Sequence, residues 1–512
     1  MKHNSVAYMT WACLMAAAVL TGGCALHAGG QASGGRQMTL EVSHIGDTLD
    51  PVQGGNGALL TRLGVGETLV RRNSEMDLAG DLADSWKQTG TNEWTFHIKD
   101  HVKFQNGDDL TGERVKESLE RAVHDNKRDR TLSDIRSVRA EGQDVVIQTG
   151  KASGSLPVVL SDPAFVILDV MGNPSDSSAV PVGTGPYEVT QFAKDQGITL
   201  KGDSRYRGGQ PGLDTLTVKA VADNAQRIQD LKEGRADAVL GIDAADWSGL
   251  KNDSRYQMYS EDSMRADFLQ LNLKGVLQNE FLRRAVSRAI QYSRLAEQAG
   301  NGSDPAGELL TPLFKEEADA QYKESTNLTE AAGYLADAGY MTKNTEGWAV
   351  DKDGRTVTLK LGTTKQTAEA DEQIREQLKA AGIQVELVPV PEGQKEISME
   401  GLDMIHSGVL SLGGLSREPS LMMEDLFRTG APGNRGGYSS AAVDQWLDEL
   451  RGEGDRSRRL ALMNQIQNQI LQDVPDIFLI FPARTAAVSE RVQNFSLPPD
   501  GDYLVTKDLT VQ

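Results

Sequence analysis

The chain has 512 residues, of which 39% are hydrophobic and 25% are charged. This composition suits a soluble globular protein of two or three domains, and it excludes a disordered or largely membrane-embedded chain. The 53 basic and 73 acidic residues give a net charge of −20. An acidic surface repels phosphate backbones, so no nucleic-acid partner is expected.

The N-terminus has the pattern of a secretory signal. Lys2 precedes an apolar stretch from Val6 to Leu20, and small residues lead from there to Cys24. The stretch is shorter than the ~20 residues that span a bilayer, which indicates cleavage. It resembles the signal of bacterial lipoproteins, in which the cysteine after the cut is lipid-modified, although Leu20 lies four residues before Cys24 where that pattern has three. The alternative is an ordinary secretory signal that is cut nearby.

Cys24 is expected to be the sole cysteine of the mature chain, because Cys13 lies inside the apolar stretch. No intrachain disulfide is therefore predicted. Residues 1–23 are predicted to be the signal peptide, and residues 24–37, which are rich in glycine, a flexible tether. A lipid on Cys24 would hold the protein outside the cytoplasm, on the outer face of the cell membrane or in the periplasm.

The first elements along the chain predict a small α+β domain. Between residues 93 and 104 apolar side chains alternate with polar ones, which predicts a half-exposed strand pair that turns at Asp100. A helix should follow Thr111, with Val115 and Leu119 on its buried face. Two glycines further on, Gly183 and Gly185, are predicted to fix a backbone turn rather than to contact a ligand.

The later elements predict an α/β protein. Residues 216–221 and 236–240 are strand-like and flank a helix that Asp223 can cap, and so short a crossover implies parallel strands. Three further helices are predicted from apolar periodicity. They carry apolar faces at residues 282–290 (ending near Gly300), at 374–381 (stopped by Gly382, with a strand next) and at 462–470 (followed by the strand-like run 477–481).

No arrangement of nucleophile, base and metal that is typical of an enzyme occurs in the sequence, so neither an enzyme nor a cofactor is predicted. His97 and His101 are four residues apart, but they fall in a strand-and-turn pattern and are interpreted as surface histidines. Residues 351–354 imitate the start of a calcium loop without its later acidic ligand, which favours a hairpin turn between Val350 and Thr356.

Short motifs carry a family resemblance along the chain. They are DTLDP at 47–51, ETLVR at 67–71, LADSW at 82–86, VGTGPY at 182–187, GLD at 212–214, RRAV at 283–286, AGY at 338–340 and DVP at 473–475. In this order they resemble the large solute-binding proteins of peptide and nickel ABC importers, the peptide/nickel/opine-binding family.

The resemblance implies an α/β, two-lobed fold of the periplasmic-binding-protein type (Venus flytrap, type II, the large three-domain variety). Lobe I would combine residues 38–67, 179–262 and 482–512. An inserted α+β domain would occupy residues 68–178, and lobe II residues 263–481. Such lobes would close around a solute and exclude water from it.

The function implied by the resemblance is that of a monomeric, extracytoplasmic lipoprotein that delivers a small peptide to the permease and ATPase of an ABC importer. One alternative cargo is nickel or another metal chelate. A further alternative is a lipoprotein that senses its ligand without transporting it.

Candidate ligand-binding residues follow from family position. Peptide-binding relatives hold the peptide amino group with an acidic residue, for which Glu418 is the candidate here, while Arg417 could meet a carboxylate. Both could instead form a solvated surface pair. Nickel-binding relatives use a histidine, for which His406 is the candidate, unless it is a structural histidine. The other candidates are Gln53, Asn56, Asn272, Ser411, Asn434 and Tyr438.

Overall fold

The computed structural model describes residues 35–53, 56–73, 77–125, 134–170, 180–314, 320, 323, 325–391, 398–411 and 419–512. The chain divides into two units, Met1–Gly35 and Arg36–Gln512, and every sheet and helix of the described residues belongs to the second. The predicted signal peptide and Cys24 lie outside the described residues. None of the described helices combines the length and the apolar character that a membrane crossing requires.

A seven-stranded sheet gathers segments from both ends and the middle of the chain. Its strand Gln37–Val42 pairs in parallel with Thr215–Ala220 on one side and with Ala238–Leu240 on the other, and buries Met38 and Leu40. The predicted parallel strands are thus confirmed, with the first strand of the chain lying between them. In spatial order the strands are Tyr256–Glu261, Arg484–Ser489, Ala238–Leu240, Gln37–Val42, Thr215–Ala220, Gly197–Gly202 and Tyr187–Ala193.

The helix between the two parallel strands starts where the sequence predicts. It spans Asn224–Lys232, and the Asp223 carboxylate accepts a hydrogen bond from the backbone N–H of Gln226 at 3.2 Å. This N-cap satisfies one of the donors that the first turn of a helix leaves unpaired.

A four-stranded antiparallel sheet and the helix Gly112–Asp125 form the predicted small α+β body. Its strands are, in spatial order, Ala83–Gly90, Glu93–Ile98, Asp144–Thr149 and Ile135–Glu141. The prediction of a strand pair turning at Asp100 is wrong, because the chain leaves the sheet after Ile98 and His101 adopts a left-handed φ of 61°. Phe104 nevertheless enters the core, from a loop.

A six-stranded sheet is covered by helices on both faces. Its strands are, in spatial order, Asp304–Pro305, Asp476–Phe481, Arg265–Leu271, Met404–Ser411, Thr358–Thr363 and Gln384–Pro389. Helices Glu280–Ala289, Tyr292–Ala299, Leu328–Asp337 and Ala368–Ala381 pack on one face, and helices Pro419–Phe427, Ala441–Gly452 and Arg456–Asp473 on the other. The helix Ala368–Ala381 ends at Gly382 as predicted, and this glycine has a left-handed φ of 99°. The helix that was predicted to continue to about Gly300 instead breaks at Ile290.

Short elements complete the described structure. The two-stranded pairs are Val70–Arg72 with Leu78–Gly80, Thr342–Lys343 with Ala349–Val350, and Val492–Gln493 with Thr510–Val511. The short α-helices are Gly57–Arg62, Leu156–Val159 and Ala244–Leu250, and the 3-10 helices are Pro163–Phe165, Val276–Gln278 and Pro312–Phe314.

Two crossings of the chain join the seven-stranded sheet to the six-stranded sheet. Residues 262–264 carry the chain from the first sheet to the second, and residues 482–483 carry it back. The crossings lie side by side, because the Ser263 hydroxyl donates a hydrogen bond to the carbonyl of Pro482. The chain therefore passes between the two sheets twice at the same place.

Candidate ligand-binding cleft

The carboxyl ends of the parallel strands in both sheets point at the crossings. In the seven-stranded sheet the strands ending at Val42, Ala220 and Leu240 run the same way, and Leu240 lies opposite Ala486 near the start of the returning strand. In the six-stranded sheet Ser411 lies opposite Arg265, the first residue after the other crossing. Open α/β sheets bind ligands at the carboxyl ends of their strands, so the space between the two edges is the candidate cleft.

One part of this cleft is a cavity of about 330 Å³ that both sheets line. Asp243 and Thr485 belong to the side of the seven-stranded sheet, and Asp267 and Glu369 to the side of the six-stranded sheet, with Pro482 of the crossing between them. Three of these side chains are carboxylates. The cavity is therefore suited to a cationic group.

Three arginines lie close together near the crossings and are here called the arginine cluster: Arg62, Arg265 and Arg484. The Nε of Arg62 donates to the Gly501 carbonyl at 2.9 Å. The Arg484 guanidinium lies against the same glycine, since a Cβ on Gly501 would sit only 2.4 Å from its Nη1. Arg265 is close enough to both for their charges to interact.

Burial and mutual repulsion act together on the arginine cluster. Burial, together with the charges of Arg62 and Arg265, lowers the pKa of Arg484 to about 9 against the attraction of Asp500 and Asp502. Loss of hydration among the surrounding protein atoms and the positive charge of Arg62 lower the pKa of Arg265. Arg265 is nevertheless solvent-exposed.

The arginine cluster was not predicted from the sequence, because no motif marks it. Arg62 ends a short helix, and Arg265 and Arg484 each begin a strand directly after a crossing. The available signal was an arginine at the start of a strand, and such residues are common on protein surfaces. Recognising these three as neighbours requires the tertiary structure.

The predicted loop after the first strand lies at the cleft edge of the seven-stranded sheet. Gln53 is exposed and donates from Nε2 to Asp50 at 3.1 Å. Asn56 is 7% exposed, and its Nδ2 donates to the Gln53 carbonyl at 2.7 Å. Asp50 also accepts two hydrogen bonds of 2.9 Å from Arg121, which fixes the loop to the α+β body. Ligand contact by Gln53 and Asn56 stays a prediction.

At the facing edge, the candidates near the end of the strand Met404–Ser411 are only partly described. Ser411 ends that strand with its backbone opposite Arg265. Arg417 and Glu418 lie outside the described residues. Their proposed contacts with a carboxylate and an amino group stay predictions.

Three other candidates lie at the wrong end of the six-stranded sheet. Asn272 follows the strand Arg265–Leu271 and donates from Nδ2 to the Leu402 carbonyl at 2.8 Å, at the edge away from the crossings. Asn434 donates to the Tyr438 carbonyl at 2.8 Å, and the Tyr438 hydroxyl donates to Asp473 at 2.6 Å. The polar groups of all three stabilise loops about 20 Å along the sheet from the crossings, a position that does not favour the predicted ligand contact.

His406 is buried between two carboxylates. It is 2% exposed, and its Nδ1 lies 2.6 Å from Asp371 Oδ1 while its Nε2 lies 2.7 Å from Asp267 Oδ1. Burial would lower its pKa, but the hydrogen bonds and charges of the two carboxylates raise it to about 9. A protonated imidazole with both nitrogens occupied cannot bind metal. His406 instead positions Asp267, which lines the cavity.

The buried histidine makes stability depend on pH. Its pKa rises from 6.5 to about 9 on folding, so its contribution is complete below pH 6.5 and is lost as the pH rises to 9. We expect His406→Gln to remove this dependence, which amounts to roughly 3 kcal/mol across that interval. Urea unfolding at pH 6 and pH 9 measures it. His124→Gln, at an exposed histidine, is the control. If the stability of His406→Gln changes with pH as much as that of the wild type, His406 is not the group responsible.

The side chains of the other two motifs that resemble metal sites interact with groups of the protein itself. His97 Nδ1 lies 2.6 Å from Asp144 Oδ1 at the surface of the small sheet. The Asp351 carboxylate accepts hydrogen bonds from the N–H groups of Asp353 and Arg355, and the predicted hairpin turn is confirmed by the bridge between Val350 and Thr356. Within the described part of the chain, no group of three or more acidic, histidine or cysteine side chains is placed to hold a metal ion.

Two α/β sheets that are joined by adjacent crossings, with a cleft at their carboxyl edges, define the class of two-lobed solute-binding proteins. The chain matches the family model of bacterial extracellular solute-binding proteins, family 5 (middle region), over residues 77–422, and it belongs to this family. Both the predicted family and the predicted fold class are confirmed. The family is one of binding proteins.

Similar proteins cover nearly the whole chain. The nickel-binding protein NikA of Staphylococcus aureus is 24% identical over 510 residues, which cover 98% of this chain and 99% of the relative. The probable D,D-dipeptide-binding periplasmic protein DdpA of Escherichia coli is 25% identical over 450 residues, 83% of each chain. A nickel ABC transporter structure from Bacillus halodurans superposes with a TM-score of 0.79 at 25% identity, covering 93% of this chain and 100% of that one.

Proposed function

We propose that this protein captures a small solute between two lobes and presents it to an ABC importer. The lobes would have the predicted boundaries: residues 38–67, 179–262 and 482–512 in lobe I, and residues 263–481 in lobe II. The observation that carries the proposal is the pair of hydrogen-bonded crossings between the sheets, which would act as a hinge beside the cleft. Residues 68–178 would be the inserted domain.

Closure about such a hinge gives binding without bond chemistry. A solute that contacts both lobes stabilises the closed state by the difference between its affinities for the closed and the open state. Water leaves the cleft on closing, which strengthens every polar contact in it. The importer would then recognise the closed form.

The first candidate cargo is a short peptide. Its amino group is cationic and matches the cavity lined by Asp243, Asp267 and Glu369. The similarity to a probable D,D-dipeptide-binding protein supports this cargo.

The second candidate cargo is a nickel chelate, which the end-to-end similarity to a nickel-binding protein supports. Because both nitrogens of His406 are hydrogen-bonded, the protein would hold the organic chelator and not the bare metal ion. This expectation separates a chelate carrier from a protein with a metal site of its own.

Native mass spectrometry of the purified protein, followed by titration, tests the proposal. The probes are a pool of di- and tripeptides, Ni²⁺ with two equivalents of L-histidine, and Ni²⁺ alone. We expect one of the first two to raise the melting temperature and to reduce the radius of gyration in X-ray scattering. If neither does so, capture of these cargoes by closure is wrong. A response to Ni²⁺ alone that equals the response to the chelate would contradict the chelator assignment.

We also propose that the protein is anchored through a lipid on Cys24. Signal cleavage before this residue would leave one thiol at the new N-terminus. We expect Cys24→Ser to move the protein from the membrane fraction to the soluble extracytoplasmic fraction and to abolish incorporation of labelled palmitate. Unchanged membrane retention and labelling in Cys24→Ser would exclude this anchor.

A further inference from the structure

The α+β body touches the helices of the six-stranded sheet at residues that belong to neither crossing. The backbone N–H of Gly154, in the loop after the last strand of the α+β body, donates a hydrogen bond to the carbonyl of Arg451 at 3.4 Å. Arg451 lies in the last turn of the helix Ala441–Gly452. Leu421, in the helix Pro419–Phe427, packs against the apolar core of the α+β body. The two bodies are therefore in direct contact where no strand joins them.

Glycine allows the two backbones to touch. A Cβ on Gly154 would lie 2.1 Å from the carbonyl oxygen of Glu453 and 3.1 Å from the Cα of Gly454. The backbone of Gly154 lies outside the left-handed region, so the neighbouring backbone, and not local strain, excludes a side chain there. From the other side, a Cβ on Gly452 would lie 3.4 Å from the Cβ of Ala152. Any side chain added at residue 154 would push the two bodies apart.

Each of the two touching segments is held in place by its own body. The Trp94 indole N–H donates to the carbonyl of Ser153 at 2.9 Å, which fixes the loop to the four-stranded sheet. Arg459 Nη1 donates to the carbonyls of Leu450 at 3.0 Å and of Glu453 at 3.2 Å, which fixes the end of the helix. None of these hydrogen bonds involves the opposing body, so both surfaces are formed whether or not they meet.

Rotation about the crossings would separate the two surfaces. The α+β body is attached to the seven-stranded sheet, because Arg121 pairs with Asp50 at 2.9 Å and Asp81 pairs with Arg207 at 3.2 Å. The chain runs from the α+β body to the six-stranded sheet by way of the seven-stranded sheet. A movement of the six-stranded sheet about the crossings therefore also moves it relative to the α+β body.

We propose that Gly154 and residues 451–454 form a latch that engages when the lobes close and stabilises the closed state through contacts within the protein. The proposal rests on the capture mechanism proposed above and gives the inserted domain a part in it. In the open state water replaces the hydrogen bond and the close packing, so the latch shifts the balance between the open and the closed state. It thereby raises the apparent affinity for cargo.

A methyl group at residue 154 tests the latch through cargo affinity. The probes are a di- or tripeptide and Ni²⁺ with two equivalents of L-histidine. We expect Gly154→Ala to weaken binding of whichever probe the wild type captures by about tenfold. The melting temperature of the cargo-free protein should not fall, because the methyl group meets water in the open state.

Gly333→Ala is the matched control, because it adds the same methyl group where no atom lies within 4 Å. It should leave the affinity for cargo unchanged. Unchanged affinity in Gly154→Ala would overturn the latch. A fall in the melting temperature of cargo-free Gly154→Ala would also overturn it, since that is the behaviour of a permanent packing contact.

Cross-linking tests the latch without any cargo. The 3.4 Å between the Ala152 Cβ and a Cβ on Gly452 is close to the Cβ spacing of a disulfide, about 3.5–4.5 Å. The variant combines Ala152→Cys and Gly452→Cys with Cys13→Ser and Cys24→Ser, so that no other cysteine is present. We expect oxidation to cross-link it and to give a smaller radius of gyration in X-ray scattering than reduction with dithiothreitol. Ala152→Cys without Gly452→Cys is the control and should not become more compact on oxidation.

The outcomes of the cross-linking experiment separate the latch from the proposed function. Failure to cross-link would show that the two surfaces do not meet. Complete cross-linking with no change in the radius of gyration would show that they never part. Either result overturns the latch even if a probe compacts the wild type. Compaction on cross-linking in a protein that responds to neither probe would support the latch and show that the proposed cargoes are wrong.

Discussion

Replacing Arg207 with methionine should lower the free energy of unfolding by roughly 3–5 kcal/mol, because it leaves two buried carboxylates without their counter-ion. Glu67 is 4% exposed and Asp81 is 6% exposed. Both terminal guanidinium nitrogens of Arg207 contact Glu67, with Nη2 at 2.9 Å from Oε1, and Nη2 also lies 3.2 Å from Asp81 Oδ1. Methionine fills a similar volume but carries no charge.

The loss should also depend on pH in a defined direction. Burial, with a contribution from the neighbouring Glu67 charge, raises the pKa of Asp81 from 3.8 to about 7 despite the attraction of Arg207. A carboxyl group whose pKa is raised by folding takes up a proton as the pH falls, so the penalty for its buried charge disappears between pH 7 and pH 4. Without Arg207 this penalty is larger at neutral pH, and the deficit of the variant should narrow at pH 5.

Urea unfolding of the wild type and of Arg207→Met at pH 7 and pH 5 measures both effects. Arg255→Met is the matched control, since Arg255 pairs with Asp253 at 2.6 Å on the exposed surface. Such surface pairs contribute little, so this variant should stay within about 0.5 kcal/mol of the wild type. Equal losses in the two variants, or a deficit that widens at pH 5, would show that the buried pairing does not have the assigned role.

The parts of the fold that could be predicted are those with a local signal. The helix Ala368–Ala381 combines apolar periodicity with a glycine stop at Gly382, and the strand Gln384–Pro389 follows at once. The strand pair predicted for residues 93–104 failed because its true partner, Ala83–Gly90, shows a largely exposed face without apolar alternation. Strand pairing is decided by nonlocal contacts that the pattern of one segment does not contain.

The site was harder to predict than the fold for the same reason. His406 is 35 residues from Asp371 and 139 residues from Asp267, so its role as a buried bridge has no sequence signature. Asn272 was placed in the pocket from family position, yet its strand runs antiparallel to Met404–Ser411 and ends at the far edge of the sheet. Which end of a strand faces a cleft depends on register and direction, and both are set by the tertiary structure.

The prediction that Gly183 serves the backbone and not a ligand leads to a second large effect. A Cβ at this position would lie 2.0 Å from the Val65 carbonyl oxygen, so Gly183→Ala must force two backbone segments apart. The same place is held by Gln105, which is 5% exposed and donates from Nε2 to the carbonyls of Val65, Gly185 and Tyr187 at 2.7–3.1 Å. Its Oε1 accepts from the Gly183 N–H at 3.0 Å.

We expect Gly183→Ala to destabilise the protein by more than about 3 kcal/mol, because overpacking adds to the loss of buried hydrogen bonds that have no replacement. Gly333→Ala is the matched control, since Gly333 lies in the helix Leu328–Asp337 and a Cβ there meets no atom within 4 Å. Alanine is the better helix former by about 0.5–1 kcal/mol, so this variant should be slightly more stable than the wild type. The urea concentrations at the midpoints of unfolding measure both the loss of stability in Gly183→Ala and the gain in Gly333→Ala. A Gly183→Ala protein as stable as the wild type would mean that residues 64–66 and 183–185 can separate freely, and that the glycine motif has a purpose other than close packing of the backbone.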